Sequence, residues 1–142
     1  MSTAQVNENP NGFVGALGFA TMTVRPGDTA AANGIGDLTV VNNAALVSLM
    51  ESAAIAAINE FFETGISTIS TSMNINFATS AAIGAELQAS AQCISHNAND
   101  LEFNVEIYEG ERLVAQSTQR RQIVDRVTFL ARTAAQSLFE AK

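Results

Sequence analysis

Apolar residues recur at helical spacing along residues 40–63, which read VVNNAALVSLMESAAIAAINEFFE and contain no glycine or proline. This pattern predicts a long, buried helix. Asn42 and Asn43 stand at its head, and either side chain can accept a hydrogen bond from a free amide of the first turn. Glu51 is the exception, because it places an ionisable group in a helix that otherwise has the composition of a core.

Alternation of apolar and polar residues predicts β-strands before and after this helix. Residues 13–24 fit a first strand, which ends at the turn sequence Arg25-Pro26-Gly27-Asp28. The segments after the helix are residues 68–77, 85–93 and 101–107, with a last strand over residues 112–124. In the first of them the period places these side chains on one face: Ile69, Thr71, Met73, Ile75 and Phe77. Such a pattern is typical of an antiparallel sheet that is covered on one side.

The remaining segments complete one domain. Residues 1–12 are polar and predict a flexible N-terminal arm, and the small residues 29–38 predict a flexible loop before the helix. Apolar spacings of three and four after Asp125 predict a short C-terminal helix capped by that aspartate. Residues 13–142 are thus predicted to form a single α+β domain. A curved antiparallel sheet of about five strands would wrap around the long helix, which is the hot-dog architecture.

Composition narrows the classes of partner. At 142 residues, 47% apolar and only 15% charged, the chain is globular and leaves apolar surface that oligomerisation would cover. A net charge of −7 without a basic stripe argues against nucleic acid. Five arginines fall in the last quarter, where they can hold a small anion or simply lie on the surface: Arg112, Arg120, Arg121, Arg126 and Arg132.

The single cysteine and the start of the chain bear on the compartment. Cys93 excludes an internal disulfide, and the apolar alternation around it favours a buried, inert thiol. We find neither the pattern of a signal peptide nor an uninterrupted apolar run of the roughly 20 residues that span a bilayer. A soluble, cytoplasmic protein without a membrane partner is therefore expected. His96 is the only histidine, and it falls in a polar turn where a surface position is expected.

Two stretches resemble hot-dog acyl-CoA thioesterases. Residues 73–84, MNINFATSAAIG, resemble a strand and turn of the phenylacetate-pathway type, and residues 41–54 resemble the start of its central helix, where an acid occupies the position of Glu51. The resemblance to the fluoroacetyl-CoA thioesterase group is longer, over about residues 38–132, and includes Arg121 and Phe129. It implies hydrolysis of a small or medium acyl-CoA by a homodimer or a dimer of dimers. Coenzyme A would enter as part of the substrate, with no metal and no other cofactor.

The departures from these families concern the catalytic positions. The catalytic threonine of the fluoroacetyl-CoA group falls on Asn43, and its catalytic histidine falls on Phe77. The His-Gly-Gly sequence of the phenylacetate type falls on residues 42–44, so only the acid at Glu51 is retained. An alternative function follows from these losses: a catalytically silent hot-dog domain that binds acyl-CoA or another apolar ligand. A hydratase ranks lower, because we find no Asp-His pair.

Thioester hydrolysis requires an activated water or a nucleophile, together with donors for the developing oxyanion. Glu51 fits as general base for water, or as a nucleophile that forms an anhydride. Asn43, through its side chain or the amides at the helix start, would bind the oxyanion. The resemblance further implies substrate contacts at Asn42, Ala44, Thr71, Phe77 and Arg121.

Each of these residues also allows a plainer role. A helical wheel places Glu51 at the margin of a narrow polar stripe, where a solvated or dimer-bridging carboxylate is equally compatible with the spacing. For Asn42 and Asn43 the plainer role is to cap the helix, without any part in catalysis. Phe77 would be either a core residue or a wall of the acyl pocket. For Arg121 the plainer role is that of an ordinary surface arginine, whereas the resemblance implies a contact with the phosphate or pantetheine part of the substrate.

Overall fold

The computed structural model describes residues 12–140, so the predicted N-terminal arm lies outside the described residues except for Gly12. Five strands form one antiparallel sheet in the order β1-β3-β4-β5-β2. The strands are β1 Leu17–Thr23, β2 Ile66–Phe77, β3 Glu86–Asn97, β4 Asp100–Glu109 and β5 Arg112–Asp125. The helices are α1 Asn43–Ile58 and α2 Arg126–Glu140. The predicted architecture of one sheet, one central helix and a short C-terminal helix is confirmed.

Helix α1 begins later than the apolar pattern predicts. Val40 and Val41 are extended and form bridges to neighbouring loops instead of a first helical turn. Asn42 is the N-cap, since its side-chain oxygen accepts a hydrogen bond of 2.9 Å from the amide of Ala44. The helix ends at Ile58, and one 3-10 turn follows it. The extended valines tie the helix start to the loops around it, which is why the helix cannot begin at residue 40.

The core lies between α1 and the inner faces of β1, β3 and β4. Gly18 of β1 makes a close approach to the helix, because a Cβ built there would lie 2.2 Å from the backbone nitrogen of Ala57. The predicted inward residues of β3 and β4 are confirmed as buried: Leu87, Ala89, Ala91, Cys93, Leu101, Phe103, Val105 and Ile107. Burial raises the pKa of the Cys93 thiol, which fits the prediction of a buried thiol.

The apolar composition of α1 also meets the criteria for a membrane-spanning helix. Within the described residues, one helical segment, Asn43–Phe61, is long and apolar enough to be a candidate membrane span by length and composition. In this fold, however, one side of that segment packs against the sheet, and a core position of this kind accounts for its composition. The cytoplasmic location and the absence of a membrane or nucleic-acid partner stay predictions.

A β-bulge in β2 overturns part of the predicted strand pattern. Ser70 pairs with Arg121 of β5 and Ser72 pairs with Arg120, so Thr71 is the extra residue. The bulge shifts the alternation by one position. Thr68 and Ser70 consequently share the inner face with Met73, Ile75 and Phe77, whereas Ile69 points to the outer face. The prediction that Ile69 shares a face with Met73 was therefore wrong, since a strict period of two cannot contain an unpaired residue.

The predicted flexible loop at residues 29–38 is internally hydrogen-bonded. The side chain of Asn33 donates to the carbonyl oxygens of Gly27 and Thr29 at 3.0 and 2.8 Å. The amide of Ala30 donates to the carbonyl of Val40 at 2.9 Å, which closes the base of the loop. The structure thus shows a compact loop, because the Asn33 side chain donates hydrogen bonds to backbone carbonyls that the small side chains of the loop cannot reach.

The start and end of the domain differ in how well they are packed. Phe13 is buried and stacks on the half-buried ring of His96 at 4.8 Å, so His96 is not the surface residue that its polar turn predicts. Asp125 caps α2 as predicted, accepting a hydrogen bond of 3.0 Å from the amide of Thr128, and this bond lowers the pKa of Asp125. Most side chains of α2 are nevertheless exposed.

Candidate active site

Glu51 and Arg121 form an ion pair between α1 and β5. The Nη1 atom of Arg121 lies 2.9 Å from the Oε1 atom of Glu51, although the two residues are 70 positions apart in the sequence. The Arg121 side chain is only 4% exposed, whereas that of Glu51 is 33% exposed. The pair therefore joins a buried cation to a carboxylate that water can reach.

The strands place further acceptors around the guanidinium of Arg121. Arg121 lies on the inner face of β5, and the bulge in β2 brings Thr68 to the same face. The Nε atom donates to Thr68 Oγ1 at 2.9 Å, and Nη2 donates to the Thr68 carbonyl at 3.3 Å. The Nη1 atom also donates to Oε1 of Gln119 at 2.8 Å. A buried guanidinium has donors only, so these acceptors and the charge of Glu51 compensate its burial.

This arrangement differs from the predicted role of Arg121. The sequence predicts a contact with the phosphate or pantetheine part of a substrate, but the buried guanidinium is instead engaged with Glu51, Gln119 and Thr68. The cause is the inward direction of its position on β5, which alternation makes the opposite of the outward Arg120. In this structure the Arg121 guanidinium is bonded to Glu51 and is almost fully buried, and its contact with a substrate stays a prediction.

The predicted residues at the helix start lie away from this pair. Asn43 and Ala44 are exposed in the first turn of α1, and the buried Asn42 caps that turn. Asn43 precedes Glu51 by eight residues, a rise of about 12 Å along a helix axis. The amide of Ala44 already donates to Asn42, so the amide and side chain of Asn43 are the better candidates for binding an oxyanion. Within one chain, Asn43 and Glu51 are not brought together.

Phe77 is the last residue of β2, whereas Thr71 lies near the middle of the strand. Phe77 pairs with Ala115, six residues along β5 from Arg121, which is roughly 20 Å of strand. It is 38% exposed and lies where β2 leads into the loop that binds the helix start. Thr71 is exposed at the bulge, and its hydroxyl donates to the Arg120 carbonyl at 3.3 Å. The candidates therefore form a helix-start group (Asn42, Asn43 and Ala44) and a Glu51 group (Glu51 and Arg121). Thr71 and Phe77 are not bonded to either group.

Sequence reasoning missed two residues of the Glu51 group. Gln119 lies two residues before Arg121 on the covered face of β5, and a polar residue at such a position was a usable signal. Thr68 was hidden, because the bulge reverses its face. No cluster of three metal-binding side chains occurs among residues 12–140.

The comparison with protein families decides the family of this chain. The family model of fluoroacetyl-CoA-specific thioesterases matches residues 24–127. The chain belongs to this family. The matched region includes both members of the Glu51–Arg121 pair, and the predicted resemblance to the fluoroacetyl-CoA thioesterase group is confirmed.

Solved structures of thioesterases share the fold. The fluoroacetyl-CoA thioesterase FlK superposes with a TM-score of 0.80 at 20% identity, over 86% of this chain and 95% of that chain. A thioesterase superfamily member from Thermus thermophilus gives a TM-score of 0.81 at 22% identity, over 91% and 96% of the two chains. A hot-dog-like protein from Thermanaerovibrio acidaminovorans gives 0.78 at 15%, over 87% and 91%. No curated protein matches the chain significantly in sequence.

Membership of the fluoroacetyl-CoA-specific thioesterase family confirms two predictions made from the sequence. The fold is a hot-dog fold, and the enzyme class is that of an acyl-CoA thioesterase. The size of the acyl group and the roles of individual side chains stay predictions.

Proposed function

We propose that this thioesterase hydrolyses a small or medium acyl-CoA and that Glu51 activates the attacking water. The observation that carries the proposal is the ion pair of Glu51 with the buried Arg121, at 2.9 Å. Arg121 holds one carboxylate oxygen, which fixes the direction of the group, and one third of the Glu51 side chain stays exposed to solvent. A fixed carboxylate that can reach water is the arrangement that general-base catalysis requires.

The reaction follows from these positions. The water oxygen attacks the carbonyl carbon of the thioester while Glu51 takes a proton from that water. The carbonyl oxygen becomes an oxyanion, which amide donors at a helix start can stabilise. Collapse of this intermediate breaks the C–S bond, and the proton held by Glu51 passes to the departing thiolate of coenzyme A. The products are a carboxylic acid and free coenzyme A, so the coenzyme is a part of the substrate.

We further propose that two copies of the chain form the working enzyme. β2 is an edge strand of the sheet, so its outer hydrogen-bonding side can pair with β2 of a second copy. Within one chain the helix-start group lies about 12 Å from Glu51 along the helix, so one subunit does not place both groups on one thioester. A second subunit would supply the missing side of the site to Glu51.

Light scattering tests this dimer. We expect a mass of twice the 14.9 kDa of the chain at micromolar concentration. Ile69→Lys places a charge on the outer face of β2, and in a dimer joined through β2 the two like charges would weaken association. Leu17→Lys is the matched control, since Leu17 is an exposed apolar residue on the other edge strand, β1. A monomeric wild type, or dissociation by Leu17→Lys alone, would contradict pairing through β2.

A second candidate function is binding of acyl-CoA without cleavage. It is favoured by the residues at two positions: by the resemblance drawn from the sequence, Asn43 and Phe77 correspond to the catalytic threonine and histidine of the fluoroacetyl-CoA thioesterase group. A phenylalanine cannot transfer a proton, and an asparagine is not a nucleophile. On this alternative Glu51 would only balance the charge of Arg121.

A substrate panel separates the two functions. We expect release of free thiol from acyl-CoAs of two to eight carbons, measured with a chromogenic thiol reagent under conditions where Cys93 stays buried. A non-hydrolysable acyl-CoA analogue should raise the Tm in either case, because a ligand that binds only the folded state stabilises it. Stabilisation without any thiol release across the panel would exclude the hydrolase and leave the binding module.

A further inference from the structure

Gln119 is a buried residue with an unusual hydrogen-bonding state. Its side chain lies on the inner face of β5 and is fully buried. Its Oε1 atom accepts a hydrogen bond of 2.8 Å from Nη1 of Arg121, whereas its Nε2 atom has no partner. Among the buried side-chain polar atoms of residues 12–140, only Ser117 Oγ shares that unpaired state.

An unpaired buried donor destabilises the folded state, so stability alone does not explain a glutamine here. An apolar side chain of similar length would fill the same space without that penalty. The amide is oriented by its one strong contact, because a guanidinium has donors only and must meet the carbonyl end of the amide. The benefit of Gln119 must therefore lie in what it does to Arg121.

The Nη1 atom of Arg121 carries two hydrogens, and two acceptors share it. One is Glu51 Oε1 at 2.9 Å, and the other is Gln119 Oε1 at 2.8 Å. With both bonds formed, the plane and rotation of the guanidinium are fixed, and so is the oxygen of Glu51 that it binds. Without Gln119, Arg121 could rotate about its side chain and engage either or both oxygens of Glu51.

We propose that Gln119 is a positioning residue for thioester hydrolysis. It holds the Arg121 guanidinium so that Glu51 keeps Oε1 bound to Arg121 and presents Oε2 to the attacking water. This inference rests on the proposed role of Glu51 as the base.

Two substitutions test the proposal with opposite expectations. Gln119→Met removes the acceptor and the unpaired donor together. We expect kcat to fall about 10- to 100-fold, the range for loss of a positioning contact, with KM changed less than about threefold and Tm nearly unchanged. Gln119→Glu keeps the acceptor and replaces the unpaired donor by a second carboxylate oxygen, so kcat at high pH should stay within about threefold of wild type.

The pH profile supplies a readout that a merely structural role would not move. In Gln119→Glu a second carboxylate shares Arg121 with Glu51, and the two like charges make protonation easier. The acid limb of kcat/KM should therefore move to higher pH. Within residues 12–140 the charged groups bonded into this network are Glu51 from α1 and Arg121 from β5. At the positions paired with Gln119, β4 contributes Phe103 and β2 contributes Met73, and neither titrates.

Ser117→Ala is the matched control. Ser117 is also buried and unpaired on the inner face of β5, and no bond joins it to Arg121. We expect its kinetics and pH profile to equal those of the wild type.

Two results would overturn the positioning role. One is an unchanged kcat in Gln119→Met, and the other is a loss of Tm in that variant large enough for unfolding to explain its loss of activity. Glu51→Gln assayed in parallel distinguishes the two failures: if that variant stays active, the proposed base is wrong. If it is inactive while Gln119→Met is fully active, only the positioning role fails.

Discussion

Replacing Glu51 by glutamine is expected to lower kcat for acyl-CoA hydrolysis by about 10²- to 10⁴-fold, the contribution of a general base. Glutamine has nearly the same shape and can still accept a hydrogen bond from Arg121, but it cannot take a proton from water. KM should change little, because the substitution removes an interaction made in the transition state. Steady-state kinetics on the best substrate of the acyl-CoA panel measure both parameters.

The same substitution also has a structural consequence that the assay must separate. It leaves the buried guanidinium of Arg121 with neutral partners only, the acceptors of Gln119 and Thr68. Some loss of Tm is therefore expected, since a buried charge without a counterion destabilises the fold. Kinetics are to be compared well below the Tm of both proteins. Glu60→Gln is the matched control, because Glu60 is an exposed acid just beyond the same helix.

Full turnover by Glu51→Gln would rule out Glu51 as the base. A loss of activity in both Glu51→Gln and Glu60→Gln would instead indicate a general effect of charge removal. Only a selective loss in Glu51→Gln supports the mechanism.

Substitution of Gly18 by alanine should produce a large loss of stability from a single added methyl group. The added Cβ would lie 2.2 Å from the amide nitrogen of Ala57 and 2.3 Å from the carbonyl oxygen of Ala53. Both atoms belong to the backbone of α1, so no side-chain rotation can relieve the overlap. We expect a loss of roughly 3 kcal/mol in the free energy of unfolding, at the upper end for overpacking, measured by chemical denaturation.

Gly27→Ala is the matched control for this effect. A Cβ at Gly27 meets nothing within 4 Å, and the residue does not adopt a positive φ. Its substitution should change stability by less than about 0.5 kcal/mol, as for an ordinary surface site. If Gly18→Ala proves as harmless as Gly27→Ala, the close packing of α1 on β1 is wrong.

Some features of the fold were predictable because they depend on local patterns. The helix around Glu51 and the inward residues of β3 and β4 follow from periods that report burial directly. Asp125 as the cap of α2 follows from the preference of helix starts for short acceptors. The start of α1 was missed, because tertiary bridges hold Val40 and Val41 in an extended conformation.

The candidate site was only partly predictable. Glu51 and Arg121 were both identified, but nothing local in the sequence joins residues 70 positions apart. The bulge at Thr71 reverses the face of Thr68. A strict alternation of inward and outward residues cannot predict this, because it does not allow for an extra, unpaired residue in the strand. Gln119 became recognisable only when its amide was seen to face a guanidinium.

By itself, the sequence determined the class of fold and the resemblance to a thioesterase family, and it singled out Glu51 as a candidate. These features depend on periodicity and on short motifs, and both are formed by residues that are close together in the sequence. Only the tertiary structure decided that Arg121 faces inward and pairs with Glu51, and that the helix-start group lies apart from that pair. Register, bulges and the crossing of α1 over the sheet set these distances, and they arise when the whole chain packs.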